Sequence, residues 1–115
     1  MEEYVKFKLP DIEQVEIKID CLEEHVPVKG NAICSDDAEF DKKVEDEIIA
    51  ELEYNQWAWC CIRVTARYKG QEGRDYLGCC SYKDEKDFVE TSGYYEQMRQ
   101  EAYDNLIDNL RGLND

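Results

Sequence analysis

The sequence has 115 residues, 43% hydrophobic and 37% charged. That balance suits a single domain over residues 1–115 with one hydrophobic core and argues against whole-chain disorder. The formal net charge of -14 disfavours non-specific nucleic-acid binding, because most of the surface would repel phosphates.

At the N-terminus "MEEYVKFKLPDIEQ" contains no apolar signal region, and no stretch approaches the length of a membrane span. A soluble cytoplasmic protein with no membrane contact is therefore expected. There the six cysteines, Cys21, Cys34, Cys60, Cys61, Cys79 and Cys80, should be thiols. "EYVKFKL" admits a short extra strand. "VEIKID" alternates, with Val15, Ile17 and Ile19 on one side and Glu16, Lys18 and Asp20 on the other, which predicts a half-buried strand. "EHVPVKGN" predicts a loop broken by Pro27 and Gly30.

"SDDAEFDKKVEDEIIAELEYN" predicts a helix. Asp36 and Glu39 have the spacing of a capping box, and Phe40, Val44, Ile48 and Leu52 form an apolar stripe widened by Ile49. "WAWCCIRVTARYKGQEGRDYLGCCSY" predicts two strands around the Gly-bounded turn "KGQEG". In the first strand Ala58, Cys60, Ile62, Val64 and Ala66 form the core row. Trp57, Trp59, Cys61, Arg63, Thr65 and Arg67 face the other way. In the second strand Leu77 and Cys79 are expected to face the core, and Arg74, Tyr76, Gly78, Cys80 and Tyr82 the other side. "KDEKDFVE" predicts a short helical turn. "SGYYEQMRQEAYDNLIDNLRGLND" predicts a longer helix, with Tyr95, Met98, Ala102, Leu106, Ile107 and Leu110 buried and Gly112 as its C-cap.

The order β-α-β-β-α predicts an α+β, two-layer domain: an antiparallel sheet with two main helices on one face. The second sheet face is then left open unless a loop or the N-terminal segment covers it.

No G-x-S-x-G, Walker, G-x-G-x-x-G or H-E-x-x-H motif occurs, which argues against an enzyme of a familiar class; a small enzyme with an unrecognised site stays a third possibility. His25 is the only histidine. The cysteine pairs are adjacent rather than C-x-x-C, and strand neighbours point to opposite faces, so no metal or other cofactor is expected. Cys60 and Cys79 are instead expected to be small core residues.

Charge is unevenly spread. Residues 36–56 carry two basic and nine acidic groups, whereas residues 57–83 carry five basic and two acidic. Two candidate surfaces follow. The open sheet face would present Trp57, Trp59, Arg63, Arg67, Tyr76 and Tyr82, bordered by Lys18. These residue types fit a protein interface, including a homodimer, and they also fit a platform that stacks bases. The acidic helices would display Glu45, Asp46, Glu51, Asp104 and Asp108. Rigid carboxylate arrays can imitate a nucleic-acid backbone, and they can equally be a solvated surface.

At "GNAICSDDAEFDKKVEDEII", "WAWCCIRVTARYKGQEGRDYLGCCSY" and "SGYYEQM" the chain resembles small proteins of bacteriophages, prophages and plasmids that have no assigned activity. The resemblance implies a mobile-element context, in which accessory proteins bind host or competitor proteins. The expected function is accordingly a non-catalytic acidic accessory protein that binds another protein, by nucleic-acid mimicry in one version. A nucleic-acid or nucleotide binder using the sheet face is the alternative.

Overall fold

A computed structural model of the chain describes residues 8–114. The expected strand at "EYVKFKL" falls mostly on residues outside this range. The architecture is α+β, a three-stranded antiparallel sheet with three helices. In chain order the elements are β1 (Glu16–Glu23), α1 (Ala38–Leu52), β2 (Cys60–Tyr68), β3 (Gln71–Cys80), α2 (Glu85–Thr91) and α3 (Tyr95–Asn114). Single 3-10 turns at Ile12–Gln14 and Gln56–Ala58 precede β1 and β2. The strand order is β1-β2-β3.

β2 and β3 are joined by Lys69 and Gly70, with φ of 50° and 82°. Two successive positive φ values define the two-residue turn whose twist matches paired strands. This turn sets the register. Arg67 stands across from Glu72, Ala66 from Gly73, and Arg63 from Tyr76.

The chain divides into two compact units. Among the described residues the first contains the stretch through Ile19, Arg63–Tyr76 and the stretch from Tyr94 onward. Here α3 lies on the hairpin. Met98, Ala102, Leu106, Ile107 and Leu110 are buried at 7% exposure or less, which matches the apolar stripe read from the sequence. Tyr95 is only half-buried, and Gly112 lies inside the helix rather than capping it. Gly73 is the point of closest approach. A methyl group there would fall on the carbonyl oxygen of Ala102 and the amide nitrogen of Leu106. The helix also covers polar backbone of β3. Asn105 Nδ2 donates to the Arg74 carbonyl at 2.8 Å, and Asn109 Nδ2 to the Glu72 carbonyl at 2.7 Å. Those carbonyls would otherwise offer a pairing edge to a foreign strand.

The second unit contains Asp20–Ile62 and Leu77–Gly93. Its buried residues include Val28, Ala58, Trp59, Cys60, Ile62, Cys80 and Phe88. The core row of β2 is as expected: Cys60, Ile62, Val64 and Ala66 have no exposure. Helix α1 begins one residue later than the capping pattern predicts. Asp37 is the cap, accepting from the N–H groups of Glu39 (3.0 Å) and Phe40 (3.1 Å).

The stripe of α1 is a correction. Phe40 is 50% exposed, Ile49 is exposed as well, and Val44, Ile48 and Leu52 are only half-buried. The one buried residue of α1 is Glu45, at 8% exposure.

β3 is a second correction. Cys79 is exposed, and Cys80 is buried at 5% exposure. The reversal has a local cause. Cys79 has φ of 57°, a left-handed conformation that breaks the two-residue alternation. Its N–H donates to Glu24 Oε1 at 2.6 Å. That bond holds the Glu24 carboxyl below the usual carboxylate range, with the Val26 N–H (3.0 Å) adding to the effect.

Candidate interaction surface

Alternation along the hairpin decides which side chains share the face away from α3. Gly73 points at the helix, so Glu72, Arg74 and Tyr76 point the other way. Across the turn they are met by Arg67, Thr65 and Arg63 of β2. Lys18 of β1, the neighbouring strand, is exposed beside them.

The first unit thus carries two arginines paired with one carboxylate, and Tyr76 and Arg63 further along the same face. Glu72 receives Arg67 Nε at 3.5 Å and is also paired with Arg74. The arginine side chains remain 58% and 45% exposed, and Tyr76 is 53% exposed. Thr65 lies beneath them at 6% exposure. One glutamate cannot neutralise two guanidiniums, and ion pairs this exposed add roughly 0–1 kcal/mol to stability. Their side chains are held in place on a strand and still have donors to offer.

Of the sheet-face residues named from the sequence, Arg63, Arg67 and Tyr76 are brought together. Arg63 is half-buried and has contacts of its own. Trp57, Trp59 and Tyr82 are elsewhere, in the second unit. Trp59 is 4% exposed, and its Nε1 donates to the Val26 carbonyl at 2.7 Å. Trp57 and Tyr82 flank Phe88, with ring centroids 6.3 Å and 5.4 Å away.

The physical reason is that β2 begins only at Cys60. The 3-10 turn at Gln56–Ala58, capped by Asn55 at 3.1 Å from the Trp57 N–H, takes both tryptophans off the strand alternation. Tyr82 follows the end of β3, and its N–H donates to the Trp57 carbonyl at 2.8 Å. Two members of the surface were missed by sequence reasoning. Arg74 stood on the correct row of β3, and Glu72 needed only the hairpin register to be placed opposite Arg67.

The carboxylates named on the acidic helices differ in how they are held. Glu45 is buried, contrary to its expected display on the surface. It accepts the Gly30 N–H at 2.8 Å and lies 3.7 Å from Lys29 Nζ. Residues 29–30 of the loop before α1 therefore dock on the helix through this carboxylate. Asp46 is held by Lys29 and Lys42, each at 2.7 Å. Glu51 accepts from Asn55 Nδ2 at 3.0 Å. On α3, Asp104 accepts from Gln100 Nε2 at 2.9 Å, and Asp108 is 74% exposed at 4.0 Å from Arg111.

The two lysines hold the Asp46 carboxyl down to about 2. The folded value lies below the ordinary carboxylate value, so the contribution is present above about pH 4 and is lost as pH falls toward 2. Wild type should therefore lose more thermal stability between pH 4 and pH 2 than Asp46→Asn. Thermal unfolding at a series of pH values would show two parallel profiles if the lysine contacts contribute nothing. High salt should shrink the difference, since the site is exposed.

All six cysteines are free. Burial raises the Cys60 thiol strongly and the Cys80 thiol to about 12, so both are protonated near neutral pH. Cys80 Sγ lies 3.2 Å from the Leu77 carbonyl. Among the described residues no group of three or more His, Cys, Asp or Glu is arranged to hold a metal ion. No described helix is long and apolar enough to cross a membrane.

Fold and surface together define a small α+β protein with an arginine-bearing hairpin face. No family model matches the chain, and neither a curated protein nor a solved structure does.

Proposed function

We propose that the chain is a non-catalytic binding protein that docks another protein on the outer face of its β2–β3 hairpin. The observation that carries this proposal is the exposure of Arg67, Arg74 and Tyr76 on one strand-supported face. Arginine and tyrosine are preferred anchors of protein interfaces. A partner carboxylate between the two guanidiniums would take up donors that Glu72 leaves unused. A protein partner is favoured over nucleic acid by the net charge of -14. A polyphosphate chain is negative along its whole length, whereas a protein can place a few carboxylates opposite the arginines and neutral groups elsewhere. An accessory role, altering the activity of a host or competitor protein, fits such a surface. Helix mimicry of nucleic acid is supported less, because Glu45 is buried and Asp46 is held by two lysines.

The test is affinity capture from nuclease-treated lysate with three versions of the chain. A specific protein should be retained by wild type and by Glu47→Lys, and lost by Arg67→Glu/Arg74→Glu. At least tenfold weaker binding is expected from the double reversal, about 1.4 kcal/mol. Retention by the arginine variant, or loss of all binding on nuclease treatment, would overturn the proposal.

A further inference from the structure

In the second unit two thiols face each other across neighbouring strands. Cys21 is on β1 and Cys60 on β2, and these strands are adjacent in the sheet. Cys21 shares a row with Ile17 and Ile19, all half-buried, and Cys60 shares one with the buried Ile62 and Val64. The Cys21 and Cys60 side chains hydrogen-bond to each other. Opposed residues on antiparallel strands have Cα atoms roughly 4.5–5.5 Å apart. That spacing lies within the range of about 4.4–6.8 Å that a disulfide spans. Cys60 has no exposure, whereas Cys21 is half-buried and can be reached from solvent.

The other cysteines are disposed differently. Cys61 follows Cys60 on the strand and so points to the opposite face. Cys80 Sγ is directed at the carbonyls of Leu77 and Gly78. Cys34 and Cys79 are exposed. The Cys21–Cys60 pair combines mutual contact, a shared face and one accessible member.

We propose that Cys21 and Cys60 are a latent cross-strand disulfide site, closed by a small-molecule disulfide such as oxidised glutathione. Cys21, as thiolate, attacks one sulfur of the oxidant. A protein–glutathione mixed disulfide forms, and one glutathione leaves as thiolate and takes up a proton. Cys60 then loses its proton to solvent and attacks the Cys21 sulfur, expelling the second glutathione. Two S–H bonds of the protein are replaced by one S–S bond, and the oxidant is reduced to two thiols. Burial raises both protein thiols, which keeps the pair reduced under brief exposure to oxidant. The closed form ties β1 to the central strand covalently, so the site would convert an oxidising environment into a stiffer sheet.

The experiment incubates the full chain with oxidised glutathione at mildly alkaline pH. The protein is then denatured, alkylated with iodoacetamide, digested without reduction and mapped by mass spectrometry. A linked pair of peptides carrying Cys21 and Cys60 is expected, and dithiothreitol should abolish it. The closed protein should also melt at a higher temperature than the reduced protein. Cys21→Ser, whose folding is checked by circular dichroism, should leave Cys60 fully alkylated and remove the rise in melting temperature. The inference is overturned if wild-type Cys21 and Cys60 are both alkylated or stay unlinked. It is also overturned if Cys60 is linked to a different cysteine, in wild type or in Cys21→Ser.

Discussion

Gly73→Ala is expected to destabilise the first unit by about 1–3 kcal/mol or more, the range for overpacking a filled interior. An ordinary Gly→Ala change at a permitted backbone conformation stabilises by roughly 0.4–1 kcal/mol, because it restricts the unfolded chain. Gly73 is not among the glycines with positive φ, so alanine could adopt its backbone without strain. The sign is decided by what the new methyl would meet. It would fall on the main chain of α3 at Ala102 and Leu106, not on the end of a flexible side chain. The helix would have to move off the strand. That shift would loosen the packing of Ala102, Leu106 and Leu110, which have no exposure now, and strain the Asn105 and Asn109 bonds to β3. Gly112→Ala is the control. It lies in the same helix with nothing within 4 Å of the added methyl, and should stabilise by about 0.5–1 kcal/mol. Urea denaturation of the two variants should move the midpoint in opposite directions. Equal midpoints for Gly73→Ala and wild type would mean that α3 does not approach the strand this closely.

Much of the packing of α3 and of β2 was legible in the sequence. The stripe Met98, Ala102, Leu106 and Leu110 repeats at helical spacing, and the row Cys60, Ile62, Val64 and Ala66 at strand spacing. Each therefore reports its own buried face without help from distant residues. The candidate surface was legible only where that alternation held. Arg63, Arg67 and Tyr76 lie on unbroken strand, and they share one face. Trp57 and Trp59 precede the strand, on and just after a 3-10 turn that no periodicity announces, and they went to the packing instead. The left-handed Cys79 exchanges the roles of Cys79 and Cys80, and nothing local marks a cysteine for that conformation. Glu45 shows a different limit. In sequence it is one acid among many on α1. Its burial depends on the Gly30 N–H, fifteen residues away in the chain, and a contact of that span leaves no local signal.

Phe88→Ala should cost about 3–5 kcal/mol, the range for truncating a buried phenylalanine. α2 has only seven residues, too few for a helix to persist in water by itself. Two local devices hold its first turn. Asp84 accepts the Asp87 N–H at 2.8 Å, and the Asp87 carboxylate accepts the Lys83 N–H at 2.9 Å. Caps of this kind are worth about 1 kcal/mol each, so the helix depends on its one buried side chain. Phe88 has no exposure and lies between Trp57, tilted at 32°, and Tyr82, edge-on at 64°. The rings cannot readily close over the space that alanine would leave. Trp57 is fixed at its N–H by Asn55 and at its carbonyl by the Tyr82 N–H, so both walls of the cavity are tied to the backbone. A cavity that does not collapse puts the cost toward the upper end. Phe88→Leu, which keeps most of the volume, should cost less than half as much. Tryptophan fluorescence separates this from a general loosening. Trp57 should become more solvated and its emission shift to longer wavelength, while Trp59, bonded to the Val26 carbonyl, should not respond. In a Trp57→Phe background the Phe88→Ala shift should therefore disappear. An unchanged denaturation midpoint for Phe88→Ala would show that α2 contributes nothing to holding the second unit together.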